Sequence, residues 1–404
     1  MFRMNWPIYL IGGALSAVWL LWRYKNRRMI QMGNKLPGPP TIPLLGNALM
    51  FMCQPEAFIK VLKDLMTEYG NVSKFWLGPD LNIVINNPDD LKVSNTYEPR
   101  IYHGRSFSIY EVVFRRMTKW YMQIDPVFWM STDYYFQKHF IKIMTDFCEV
   151  ILQHRTERLR TLEDSKRELM NSEDDSSVNT ELSVIDRFLL SQELNKDELV
   201  QETFTIFTSS QEATAKISSY VLLMMAYHPK CQEKLYAEIK SIIGDEDRYV
   251  TDDDLKRMPY LEMVFKEVLR LYPIGAILQR TVNEDIAISD YTLPAGCSLV
   301  APIFHLHRDP RFWTEPDRFD PERFNPENVK TRNPNAYIPF SLGQMDCLGR
   351  FFGTKLVKTI CVRVLREFEL SSTETYDDLR VAISISVVSL NGYPIILNPR
   401  KTKN

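Results

Sequence analysis

The chain has 404 residues, with 49 Lys and Arg against 51 Asp and Glu, a net charge of -2. Hydrophobic residues make up 45% and charged residues 25%, which excludes a disordered or low-complexity protein and leaves no chain-wide basic field to grip nucleic acid. Six scattered cysteines without a C-x-x-C pair argue against a disulfide scaffold or zinc finger and for a reducing compartment.

Trp6 to Trp22 carries no charged residue, and tryptophans stand at both ends. At about 1.5 Å per residue the stretch comes close to a bilayer core of about 30 Å. Arg23, Lys25, Arg27 and Arg28 follow at once, whereas only Arg3 precedes. That bias predicts a single N-terminal transmembrane anchor over residues 1–29, with the body on the cytosolic side. A signal peptide would place its charge before a shorter apolar core. Residues 30–47 hold Pro37, Pro39, Pro40 and Pro43, so they predict a stiff, non-helical hinge ahead of a body at 48–404.

Apolar spacing predicts a helix over 56–69, a short strand over 81–85 and a helix over 134–162. Residues 163–180 are polar and charged and predict an exposed loop. A long helix is expected over 197–227, apolar around most of its second half, then helices on either side of Gly244. Strands are expected late, at 277–288, 299–302 and 381–388. The pattern is mainly α with a small β-sheet region.

The most specific signal is Phe340-Ser341-Leu342-Gly343-Gln344-Met345-Asp346-Cys347-Leu348-Gly349, a lone cysteine after a glycine-bearing turn and before an apolar helix. Amides at a helix start favour a thiolate ready for metal, and a thiolate on an iron porphyrin favours O–O cleavage. A buried structural cysteine is the alternative. Glu267 and Arg270, three apart, share one face of an apolar helix. His305 and His307 have no third ligand beside them and are read as structural.

These segments resemble a cytochrome P450, and the details of Tyr260–Lys266, His307–Pro310 and Pro321–Phe324 are most similar to its fatty-acid ω-hydroxylase branch as expanded in insects. The resemblance implies the P450 fold and heme b (iron protoporphyrin IX), with Cys347 as axial ligand in a loop of Phe340, Gly343 and Gly349. It implies Arg280 as a heme propionate partner, and a structural triad of Glu267, Arg270 and Arg323. Ser209-Ser210-Gln211-Glu212-Ala213-Thr214 is similar to the oxygen-side helix, which makes Glu212, Ala213 and Thr214 the catalytic positions. Ala213 stands where the family has the threonine that bonds iron-bound oxygen, and Met345 stands where a basic residue usually meets a propionate. Ser209 or Thr208 takes the place of a glutamate that esterifies heme in that branch, so non-covalent heme is expected.

The family's run of helices after Asp89–Lys92 has no counterpart, so the chain reads as internally shortened near residues 94–104. The resemblance implies a monooxygenase of the endoplasmic reticulum membrane. It would take electrons from NADPH-cytochrome P450 reductase and insert one oxygen atom into an apolar lipid, hormone or xenobiotic. The alternatives are an anchored heme-binding protein without productive turnover and a helical scaffold without cofactor.

Overall fold

In the computed structural model, residues 6–94, 112, 115–116, 118–170, 182–384 and 386–400 are described. The chain is mostly helical with small sheets, and it divides into two compact units. One takes in residues 1–102, 114–123 and 214–404, the other 103–113 and 124–213.

The larger unit opens with α1 (Trp6–Lys25) and α2 (Arg27–Gly33). Among the described residues no helix is long and apolar enough to cross a membrane, so the expected transmembrane anchor is not supported. Helix α1 does form, but Gly12, Gly13, Pro7, Tyr9 and three tryptophans dilute its hydropathy, and Arg23 and Lys25 occupy its last turn. The proline-rich stretch after Gly33 is pinned to the body. Lys74 donates its amide to the Pro37 carbonyl at 2.8 Å and its buried ammonium to the Gly33 carbonyl at 2.7 Å. A Cβ on Gly38 would sit 2.3 Å from the Lys74 carbonyl oxygen, so only glycine permits that approach.

Helix α3 (Pro55–Tyr69) starts with proline at its first turn and buries Phe58, Leu62 and Leu65 on one stripe. Strands β1 (Val72–Leu77) and β2 (Asp80–Ile85) form an antiparallel hairpin, followed by α4 (Pro88–Ser94). Helix α5 (Thr132–Met170) runs eight residues beyond the predicted end, so the charged stretch from 163 begins as helix rather than loop. Its Arg, Glu, Leu and Lys are strong helix formers despite their polarity. Helices α6 (Val184–Ser191) and α7 (Lys196–Tyr227) follow. The smaller unit has its own core of Cys148, Leu152, Val200 and Phe204. Arg155 holds Asp186 there, and its guanidinium lowers that carboxyl to about 2.

After α7 come α8 (Pro229–Ile243) and α9 (Pro259–Leu271). The strand-like stretch expected over 277–288 holds β3 (Leu278–Thr281) and β4 (Ile286–Ile288), with Asn283-Glu284-Asp285 between them. Strand β4 pairs with β5 (Tyr291–Leu293), and β6 (Ser298–Ala301) completes a sheet ordered β1-β2-β6-β3. Strand β6 lies parallel to β2, with Ile83 opposite Leu299. Helix α10 (Arg350–Glu367) leads to β7 (Phe368–Ser371), the hairpin β8 (Val381–Ile383) and β9 (Val387–Ser389), and β10 (Ile396–Pro399), which pairs with β7. The main core packs α3, the second half of α7, α8, α9 and α10 together.

Candidate active site

Pro259 fixes the start of α9, and the helix buries Glu267 and Arg270 completely. The Arg270 Nε and Nη2 donate to the two carboxylate oxygens of Glu267 at 2.7 and 2.8 Å. The remaining Arg270 hydrogens go to the carbonyls of His307, Pro316 and Arg318. Glu267 Oε1 also accepts the Asp320 amide at 2.8 Å, and Arg323 Nε lies 3.5 Å from the same oxygen. Burial pushes the Glu267 carboxyl up, and Arg270 and the Asp320 amide pull it back.

From this triad a line of bonds reaches the cysteine loop. Arg270 holds the His307 carbonyl, and His307 Nε2 accepts the Ile338 amide at 3.0 Å. His307 is fully buried, and burial lowers its pKa to about 3, so the ring stays neutral and can accept. Three residues on, the Ser341 amide donates to the Ile338 carbonyl at 3.2 Å, and the Ser341 hydroxyl accepts from Arg280 Nη2 at 3.0 Å. The Cys347 amide closes the loop onto the Phe340 carbonyl at 2.9 Å. The turn between them puts Ser341 and Gly343 at φ of 68° and 78°, a region that glycine enters freely and serine only under constraint. Gly349 caps α10, and a Cβ there would stand in ordinary contact with the Cys347 Sγ at 3.8 Å.

Cys347 itself is exposed, whereas burial pushes the thiol of Cys361, on α10, up to about 12 and leaves it inert. Flanking Cys347, Leu348 is 88% exposed, Phe351 79% and Phe352 69%, an apolar surface at the one exposed cysteine of the described residues. Arg280 is buried on β3, its Nη1 bonded to the Gln279 carbonyl, and its Nε has no partner among the described residues. An orphaned guanidinium nitrogen, an accessible sulfur and a bare apolar surface fit a flat, apolar macrocycle that carries carboxylates and a thiolate-binding metal.

Thr214 lies in the larger unit, where a Cβ on Gly353 would meet its Cγ2 at 3.7 Å. The structure thus brings Thr214 to the first turn of the helix that follows Cys347. Glu212 and Ala213 fall in the other unit on the same helix, Glu212 buried and Ala213 half-buried. Two residues of helix separate Glu212 from Thr214 by about 200°. The upstream hydroxyls of Thr208, Ser209 and Ser210 bond back to carbonyls of their own helix. Sequence reasoning missed Ser341 as a partner of Arg280 and His307 as the link to the loop, and no local signal marks either. His305 also bonds backbone, at the Ile59 carbonyl.

The family model described as cytochrome P450 matches residues 102–396. The chain belongs to the cytochrome P450 family. Its class is therefore the heme-thiolate monooxygenases, and its relatives carry the family's number 4. Cytochrome P450 4d1 of Drosophila melanogaster is 25% identical over 89% of this chain and 92% of its own length. Cytochrome P450 4V2 of Homo sapiens is 30% identical over 72% of this chain, and cytochrome P450 4c3 of Drosophila melanogaster 29% over 73%. The chain spans 56% and 57% of the length of these two P450s. The alignment with 4d1 runs over 474 positions and takes in 89% of these 404 residues, so more than a hundred positions have no counterpart here. Apart from Ser94, the junction expected at 94–104 lies outside the described residues, and the family match opens at residue 102.

Proposed function

We propose that this P450 binds heme b through a Cys347 thiolate and oxidises an apolar substrate of lipid, hormone or xenobiotic type. Electrons would come from NADPH through NADPH-cytochrome P450 reductase. The observation that carries the reading is the Cys347 loop, closed on Phe340 and tied through Ser341 to a guanidinium with a spare donor. When bound, heme supplies oxygen activation at its iron, which a thiolate ligand favours. Phe340, Gly343 and Gly349 shape the loop, Arg280 would hold a propionate, and Met345 offers that group nothing. Thr214 supplies a hydroxyl beside α10, Glu212 would be the acid of the segment that passes protons, and the Ala213 methyl can do neither. Glu267, Arg270 and Arg323 act only by positioning the loop.

Residues 48–404 form the proposed heme-binding body, 30–47 the hinge and 1–29 the membrane-associating segment. Val18, Leu20, Leu21 and Tyr24 are exposed on α1 beside Arg23, Lys25, Arg27 and Arg28, which suits anionic lipid at the endoplasmic reticulum surface. The body would face the cytosol. The deciding experiment is the absorbance of reduced, CO-treated protein: a strongly red-shifted band that vanishes in Cys347→Ala is expected. A folded, pigmented protein whose colour survives that substitution overturns the assignment.

A second reading, heme binding without productive turnover, is favoured by the positions lost relative to 4d1 and by Met345 and Ala213. Product analysis with added reductase separates the two, since an oxygenated product excludes the inert form.

A further inference from the structure

A polar cleft of about 360 Å³ lies in the larger unit, away from the Cys347 loop in sequence. Arg311, Arg323 and Arg332 line it together with Trp313, Asp320 and Asn328. Most of these charges are accounted for. Arg311 is paired with Asp309, and Glu322, which also lines the cleft, with Lys234. Asp320 accepts the Glu322 amide through Oδ1 at 3.1 Å. Glu267, however, is the one carboxylate serving both Arg270 and Arg323.

Arg332 is the group left over. Its guanidinium stacks 4.0 Å from the Trp313 ring centroid and 5.1 Å from that of Phe324, and its Nη2 donates to the Arg323 carbonyl. Among the described residues it has no ion-pair partner. Burial, with Arg270 and Arg323 nearby, lowers its pKa to about 10 against the opposing pull of Glu267. Trp313, almost fully buried, carries an indole N–H without a partner among the described residues. A half-buried cation short of an acid and an unused donor thus line one cleft.

We propose that this cleft is a binding site for a small phosphate-bearing anion, held by the Arg332 guanidinium. Phosphate suits it better than a carboxylate because it brings nearly two charges and three acceptor oxygens to a site with several guanidinium forks. An anion seated there would give Arg332 the negative charge that Glu267, committed to Arg270 and Arg323, does not provide. The site does not depend on heme.

The test is calorimetric titration of the full-length protein with inorganic phosphate and, separately, glycerol 3-phosphate, at fixed ionic strength set with chloride. Saturable one-to-one binding with Kd at or below about 1 mM is expected, the scale of a weak metabolite site. Arg332→Gln should weaken it at least tenfold. Arg332→Lys keeps the charge and loses the fork, so it should also bind more weakly than wild type. If Arg332→Gln does not fold, Arg332→Lys and the wild-type titration decide. Unsaturable heats, unchanged affinity in a folded variant, or binding of succinate in place of phosphate overturns the proposal.

Discussion

Arg270 meets Glu267 with two parallel bonds of 2.7 and 2.8 Å, and neither side chain reaches solvent. The pair is three residues apart on one helix, yet most of its energetic weight lies outside that helix. Arg270 gathers carbonyls from His307, Pro316 and Arg318, and Glu267 gathers the Asp320 amide. Two long loops are thereby fixed to α9, and the second of them leads into the segment that carries Cys347.

Removing either partner leaves the other charge buried and uncompensated. Glu267→Ala or Arg270→Ala should each cost about 3–5 kcal/mol of stability. The double variant should cost less than the sum of the two, since the two sites are in contact. Denaturant melts of the three variants check this. Additive losses, or single losses within about 1 kcal/mol of wild type, contradict a buried, mutually dependent pair.

Arg280 offers a sharper separation between folding and cofactor binding. Its Nη1 and Nη2 have protein partners while Nε has none among the described residues, and burial lowers the guanidinium pKa. Arg280→Gln should leave the melting curve nearly unchanged and weaken heme binding by about tenfold or more, the scale of one charged hydrogen bond. Heme titration of the apoprotein by absorbance reads this directly. Equal affinity in wild type and variant would remove Arg280 from the heme-binding set.

Two histidines predict a pH dependence of stability. Burial holds His307 at about 3 and His305 at about 4, both well below the ordinary value of 6.5. Between those values and 6.5 the unfolded chain binds protons that the fold does not, so stability rises with pH across that window. It is fully present above about 6.5 and is lost as pH falls. At about 1.36 kcal/mol per pH unit, each histidine removes about 2 kcal/mol between pH 7.5 and 5. Urea midpoints at the two pH values should show the loss, and His305→Asn combined with His307→Gln should flatten it. A midpoint independent of pH would mean that the histidines are solvated.

What was legible in the sequence follows from how local each signal is. The Cys347 loop, the Glu267/Arg270 pair and the body of α7 are carried by contiguous residues, and their elements were readable. Strand β1 was not, because Ser73 and Lys74 are buried in it among Val72, Phe75 and Trp76 and break the alternation expected of a strand. The links that organise the loop span long separations. Residues 307 and 338 meet across 31 positions, and 280 and 341 across 61. No periodicity or spacing encodes such a contact; it exists only once β3 and the loop after Ile338 are packed.

The helix proposed to lie on the oxygen side of the heme lacks one hydroxyl. Ala213 carries no hydroxyl, and Thr214 lies about 100° further round, so one threonine cannot take the other's direction. Glu212 remains, buried, as the acid of the segment. With the hydroxyl absent, NADPH consumption should run ahead of product, with the excess appearing as hydrogen peroxide. Ala213→Thr restores the donor without adding charge at a half-buried position. It should lower the peroxide yield severalfold per NADPH, while the CO spectrum stays unchanged. Thr214→Ala should not mimic wild-type Ala213, because its side chain faces Gly353 of α10. Peroxide and NADPH assays on reductase-reconstituted protein measure the ratio. If Ala213→Thr leaves it unaltered in a protein that retains heme, the segment does not deliver protons in the way its resemblance implies.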